Sequence, residues 1–473
     1  VRYTFSSIAN YAAAKSGANP FAYTRFDQIF GDTNIEFSST FYNLFAQDDW
    51  KITRKLKLNY GVRYDLYNIP KADSTAAYEP SRKFKVDKNN FAPRLGLVYG
   101  VRDGNRPTVI RASVGLYYDT VYLDMYQRAL QGNGSPKSFT VSFTNPALPG
   151  APGFPTNVST GTPPRQNITG IASDFKNMYA MHGNVQVEQA LSQDLSFTVG
   201  YIHSSGRNIP IYRSVNRINP VGALADGRPI YSDTVSAATR MDPRFNDILL
   251  AEASGNSNYN ALTLQLNKRF SKGYQFSANY TLSKSTDDAP EQNLVATQAG
   301  GLVQQDPTNR KRDQGPSLAD QRHTFVLSFV GRPDFHFENK AWNYLLNNNQ
   351  FGIIATANSG ERFNIIAATD INKDGFNGTD NPVGITRNSG VTPKQFNVDF
   401  RYSRFIPFTE RLRLEVFGEF VNVFNINSIY QINSLTVATD ALGNPTAALP
   451  STTNRPVTSL DARQFQIGLK FHF

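Results

Sequence analysis

Over repeated stretches of this chain every second residue is apolar or aromatic, and that two-residue period limits what the chain can fold into. Leu56, Leu58, Tyr60, Val62, Tyr64 and Leu66 form an unbroken apolar row, interleaved with Lys57, Asn59, Gly61, Arg63 and Asp65. The pattern recurs in Tyr274, Phe276, Ala278, Tyr280 and Leu282, in Phe396, Val398, Phe400 and Tyr402, and in Phe465, Ile467, Leu469, Phe471 and Phe473. Weaker copies lie at 91–101, 108–119, 181–190, 194–203, 259–270, 322–331, 350–358 and 411–424. Successive side chains of a strand point to opposite faces, so each stretch is a strand with one apolar and one polar face. Each is about 10 residues long, which suffices for a tilted strand to cross the hydrocarbon of a bilayer. Strands of soluble sandwiches are usually about half that length.

The connections carry a second rhythm. Short turns at 53–55, 102–106, 191–194, 271–273 and 407–410 alternate with long polar segments at 68–90, 120–179, 204–257, 287–320, 360–395 and 426–462. One connection on the short side, 332–349, is longer. Short turns at one rim and long loops at the other are the pattern of an outer-membrane barrel. Lipid offers the backbone no hydrogen bonds, so strands survive there only in a closed wall. An apolar outer face around a polar lumen also reconciles 12% aromatic residues with a mean hydropathy of −0.41. Tyr64, Tyr67, Tyr117, Tyr118 and Tyr201, near strand ends, would form the interfacial girdles.

Other classes drop out. No apolar run reaches the ~18 residues of a membrane-spanning helix, and regular patterning argues against disorder. With no Cys, there is no disulfide scaffold and no thiolate metal site. The net charge of +10 is scattered, with Arg310-Lys311-Arg312 as its longest block, so it points to anionic lipid headgroups and not to nucleic acid.

The fold expected is therefore all-β: an antiparallel transmembrane β-barrel wall of about 15 strands. That count includes weak strands near 2–8, 21–30 and 40–52. An odd number does not close a single-chain bacterial barrel and leaves an unpaired edge. Residues 1–473 are thus expected to be the C-terminal portion of a larger barrel. The N-terminus, Val1-Arg2-Tyr3-Thr4-Phe5, has none of the features of a signal peptide.

Phe45-Ala46-Gln47-Asp48-Asp49-Trp50-Lys51-Ile52-Thr53, followed by Leu58-Asn59-Tyr60-Gly61-Val62-Arg63-Tyr64-Asp65, resembles the barrel of TonB-dependent receptors. Ser257-Asn258-Tyr259-Asn260-Ala261-Leu262, the stretch Tyr280 to Asp288, Asp320-Gln321-Arg322-His323 and Phe420-Val421-Asn422-Val423-Phe424-Asn425 are similar to its Oar-like branch, which carries a carboxypeptidase-regulatory-like domain. The resemblance implies a 22-stranded, plugged barrel. Seven strands, the plug, the TonB box and an N-terminal sandwich-like domain would lie outside this chain.

Two motifs carry site expectations. Gln466, Gly468, Phe471 and Phe473 look like the C-terminal signal read by the barrel assembly machinery, which would capture the last strand by β-augmentation. Asp370, Asn372 and Asp374 with Gly375 match the first half of a Ca²⁺ loop. The twelfth position of that loop, in 370–381, is Asn381 where a bidentate Glu is required, so an Asx-rich turn is the competing reading. His182, His203, His323, His336 and His472 stand at no metal-ligand spacing. Asp48-Asp49 and Asp287-Asp288 read as rim or loop residues, because neighbours on a strand face opposite ways. The run Arg310 to Asp313 reads as a solvated loop, with lipopolysaccharide phosphate as its sharper partner. No hydrolase, zincin or phosphate-loop motif is present, so no enzyme and no catalytic residue is expected.

The function expected is a TonB-linked receptor in the outer membrane of a Gram-negative bacterium, which binds the TonB complex through its N-terminal region and imports an unidentified substrate. The alternative is a passive porin or a surface adhesin with the same wall.

Overall fold

In the computed structural model the described residues are 1–473, apart from 32–33, 136–137, 144–145, 148–149, 160–164, 290–302, 337, 377, 379, 410–411, 432–434 and 447–457. Parts of the long loops at 120–179, 287–320, 360–395 and 426–462, and Glu410 of one short turn, thus lie outside them.

Thirteen strands form one antiparallel meander. They are β1 (Thr40–Lys51), β2 (Leu56–Asn68), β3 (Phe91–Arg102), β4 (Thr108–Tyr118), β5 (Tyr179–Ala190), β6 (Leu195–Ser214), β7 (Ile248–Ser271), β8 (Tyr274–Asp287), β9 (His323–Gly331), β10 (Asn349–Asn358), β11 (Gln395–Pro407), β12 (Arg413–Val421) and β13 (Gln464–His472). Each pairs with the next in sequence, and β1 and β13 each have a neighbour on one side among the described residues. The sheet is therefore open at both edges there. Two short strands, Ile168–Ile171 beside β7 and Gly315–Pro316 beside β8, extend it off the main path.

The register carries the apolar row across the sheet without slipping. Leu58 faces Leu97, Leu97 faces Ala112, and Ala112 faces Val185. Val185 then faces Tyr201, Tyr201 faces Leu262, and Leu262 faces Leu282. On the far side Leu327 faces Ala355, Ala355 faces Val398, and Phe420 faces Phe465. Direct antiparallel partners share a face. Thus one side of the sheet is mainly apolar and the other mainly polar, with exceptions such as Asp48 opposite Tyr60 and His323 opposite Leu282 in the apolar row.

Two of the fifteen expected wall strands are not in the wall. Arg2–Thr4 and Arg25–Gly31 are strands, but they pair with each other, and Arg25–Gly31 pairs on its other side with Ser138–Phe143, in a separate three-stranded sheet. Rings cement this unit: Tyr3 meets Tyr23, Phe26 and Phe154 edge-on at 4.9–5.1 Å. Periodicity reports a strand; it does not report which sheet the strand joins.

All short turns lie at one rim. The longer connection 332–348 contains a helix (Lys340–Leu346) whose last carbonyls accept from the Arg404 guanidinium. At the other rim β6 and β7, of 20 and 24 residues, run on far beyond their neighbours. A bulge at Gly206–Pro210 marks where their pairing leaves the common register. Their protruding halves support a compact loop core. Met125, Tyr126 and Ala129 of the helix Leu123–Gln131 pack with Ile171, Phe175, Tyr212, Leu249 and Ala251. Described parts of the long loops therefore fold as a packed cap.

Candidate functional site

Three places bear chemistry: the polar face of the sheet, the buried polar heart of the cap, and the last strand.

The polar face is lined with matched charges. Arg111 on β4 meets Glu188 on β5 at 2.5 Å. Glu415 on β12 accepts from Arg401 at 2.9 Å and from Ser403 at 2.7 Å, and His472 stands 2.9 Å from its other oxygen. Arg94 lies over the Tyr117 ring, 4.3 Å from its centre. A cavity of about 820 Å³ opens at the β1–β4 end, with Asn59, Arg63, Arg94, Ser113 and Tyr117 among its walls. Such a surface holds water and polar solute; the opposite face offers nothing to either.

In the cap, polar side chains are buried. Arg387, Asn372, Asp374, Asp380, Asn381 and Asp313 are each at most 1% exposed. Arg387 donates to the Asp287 carboxylate and, at 2.8 Å, to the Asp313 carbonyl. Asp287 and Asp288 go separate ways, since Asp288 pairs with Arg310 at 3.4 Å. In the run Arg310 to Asp313, Lys311 is exposed, the two arginines are partly exposed and Asp313 is buried. Arg312 pairs with Asp306 at 2.8 Å and donates to the Asp226 carbonyl at 2.7 Å, which ties the run to the cap. Burial pushes the Asp313 carboxyl up to about 7, with Asp288 and Asp306 adding repulsion.

The loop 370–381 lies in this heart, between β10 and β11. Asp370 accepts from the backbone of Asp374 at 3.1 Å and of Gly375 at 2.8 Å. Asn372 Oδ1 accepts from Asp374 N at 2.9 Å, and Asp374 Oδ1 from Phe376 N at 2.9 Å. Gly375 has φ of +97°, a conformation glycine adopts without strain. Asn381, at the twelfth position, points its amide to Asn364 Oδ1 and the Ile365 carbonyl at 2.8 and 2.7 Å. Sequence reasoning missed Asp380, one residue earlier. It is fully buried and accepts from Ile371 N at 3.1 Å. Among the described residues no three His, Asp or Glu side chains already converge as metal ligands.

On β13, Phe465, Ile467, Leu469, Phe471 and Phe473 are all exposed on the apolar side, Phe473 by 97%. Gln466, on the polar side, donates to Glu419 at 2.6 Å. Gly468 lies under a ring of the neighbouring strand. A Cβ there would meet the Phe417 ring at 2.2 Å, and Arg401 lies over that ring at 3.9 Å. The glycine is the seat of an aromatic ring from the neighbouring strand, a cross-strand pairing known to stabilise sheets.

Residues 3–388 match the family model described as an outer membrane beta barrel domain. No curated protein matches the chain by sequence. Among solved structures, the chain is similar to the outer membrane transporter YddB of Escherichia coli, with 13% identity and a TM-score of 0.52, over 91% of this chain and 45% of that one. The FrpB iron transporter of Neisseria meningitidis aligns with 13% identity and a TM-score of 0.47, over 92% and 46%. The ferric enterobactin receptor of Pseudomonas aeruginosa aligns with 11% identity and a TM-score of 0.47, over 92% and 45%. The chain spans about half the length of these structures, and at such identities the likeness concerns the fold.

Proposed function

Because the chain belongs to the outer-membrane β-barrel domain family and so resides in the outer membrane of a Gram-negative bacterium, we propose that it is wall and cap of a TonB-dependent transporter of the Oar-like branch. The observation that carries this reading is the mainly apolar face over thirteen strands, backed by a charged polar face and capped by a packed loop assembly. In this reading further strands join β1 and β13 to complete a barrel of 22, of which this chain is the C-terminal portion. A plug fills the lumen, and a TonB box on the N-terminal side draws energy from the TonB complex. The apolar face meets lipid, the cap faces lipopolysaccharide and the medium, and β13 is the strand the assembly machinery captures through Gln466, Gly468, Phe471 and Phe473. The cap, with its buried ion pairs, is the recognition surface; its substrate is a solute scarce enough to need energised uptake.

Planar-bilayer conductance of the purified full-length protein tests this against the porin alternative. A plugged transporter stays closed, and deleting the plug region opens a large, steady pore. An intact protein that conducts continuously, with uptake in cells unchanged after deletion of the TonB box, would make it a passive porin.

A further inference from the structure

We propose that the cap binds a Ca²⁺ ion between Asp374 and Asp380. The inference stands on the cap's geometry and does not depend on how transport is energised.

In the 370–376 turn the N–H groups of Asp374, Gly375 and Phe376 make bonds that an Asx-rich turn alone would explain. What that turn does not explain is the oxygens left over. Asp374 Oδ2 and Asp380 Oδ1 are buried and have no hydrogen-bond partner; their residues are 1% and 0% exposed. Both carboxyls are pushed up, first by burial; Asp380 and Asp370 add repulsion at Asp374, and Asp370 adds it at Asp380, where Arg228 pulls the other way. The nearest cations are otherwise engaged. Arg228 donates to Asp226, to Gln305 and to the Asn381 carbonyl. Arg217 pairs with Asp247 at 2.7 Å and donates to the Lys373 carbonyl. A buried carboxylate without a partner is costly, and two beside each other are worse.

A divalent cation removes both costs. All the available donors are oxygens, which selects a hard ion. The setting is irregular loop with carbonyls and amides close by, including the unpartnered Oδ1 of Asn381, which suits the flexible coordination of Ca²⁺ better than the strict octahedron of Mg²⁺. Asp370 and Asn372 stand at the first and third positions of the turn, where such loops supply further oxygens. The acidic ligand missing from the twelfth position is thus supplied from the eleventh, by Asp380. Two committed carboxylates make a low-charge site, so the affinity expected is that of extracellular modules, roughly 10⁻⁴–10⁻³ M.

The test uses full-length protein folded in detergent. Tb³⁺ is titrated in while tyrosine is excited, since Tyr231 donates its backbone N–H to the Asn372 carbonyl at 2.9 Å and lies beside the site. Sensitised Tb³⁺ emission, displaced by millimolar Ca²⁺ and far less by Mg²⁺, is the expected result. Ca²⁺ should also raise the melting temperature over that in chelator. Asp374→Asn and Asp380→Asn should each weaken Ca²⁺ binding about tenfold or more, while Asp313→Asn, a buried carboxylate outside the loop, keeps it. No Tb³⁺ emission and equal melting in Ca²⁺ and chelator would overturn the proposal. So would variants at Asp374 or Asp380 that retain the full Ca²⁺ response. If neither variant folds, the Tb³⁺ displacement on the unaltered protein decides alone.

Discussion

Asp313 shows what a single residue contributes to the cap. It is fully buried, one oxygen accepts from Gln305 N at 3.3 Å, and the other has no partner. Its backbone carbonyl holds Arg387, but its carboxyl receives no cation of its own. With the folded-state pKa raised from 3.8 to about 7, ionisation is disfavoured in the folded protein. The sign follows: the stability associated with Asp313 is full below about pH 4 and is lost as pH rises through about 7. Asp313→Asn should therefore flatten the decline in melting temperature between about pH 4 and pH 7. A profile that falls as steeply in the variant would place the titrating group elsewhere. None of this was legible beforehand. The residue stood in a basic run that reads as solvated, and its burial depends on partners such as Arg387, 74 positions away. Asp380 was missed for a related reason: spacing rules name the twelfth position of a loop, while folding brings in whichever carboxylate the loop's path allows.

At the scale of elements, the strands were legible and their partners less so. The four segments with clear alternation, the eight weaker copies and the weak segment at 40–52 all became wall strands, because a period of two fixes both conformation and face. Segments 2–8 and 21–30 joined another sheet, and the three short helices gave no readable signal, since each is one to two turns long and held by tertiary contacts. The last strand, β13, is the element with the most specific prediction. Its five outward apolar residues form a row, and its outer edge is unpaired among the described residues. Deleting Phe473 removes a ring that is 97% exposed in the isolated sheet and so contributes to stability only by contact with lipid, at most about 1.5–3 kcal/mol. A wall of this size tolerates that loss. The deletion should slow assembly in cells and leave refolding into detergent intact. Pulse-labelling that finds the truncated full-length protein in the outer membrane at the normal rate would reduce the C-terminal pattern to strand composition.

For the molecule as a whole, the two faces of the sheet carry the argument, and they can be set against each other in one strand. Val62 and Asn59 lie on β2, three residues apart and on opposite faces, at the middle of a 13-residue strand. Val62 faces Ala46 and Pro93 within the apolar row; Asn59 faces Asp49 and Gly96 in the polar one. An arginine at mid-bilayer on the lipid side costs about 2–4 kcal/mol, while a lumen position tolerates charge. Asp49, 61% exposed and already paired with Lys57 at 3.1 Å, would even offer an arginine at 59 a partner. Val62→Arg should thus lower the urea midpoint of the full-length protein refolded in lipid far more than Asn59→Arg. In detergent micelles, which deform around a charge, the gap between the two should shrink. Equal costs in lipid would mean that neither face meets hydrocarbon, and the thirteen strands would have to be the wall of something other than a membrane barrel.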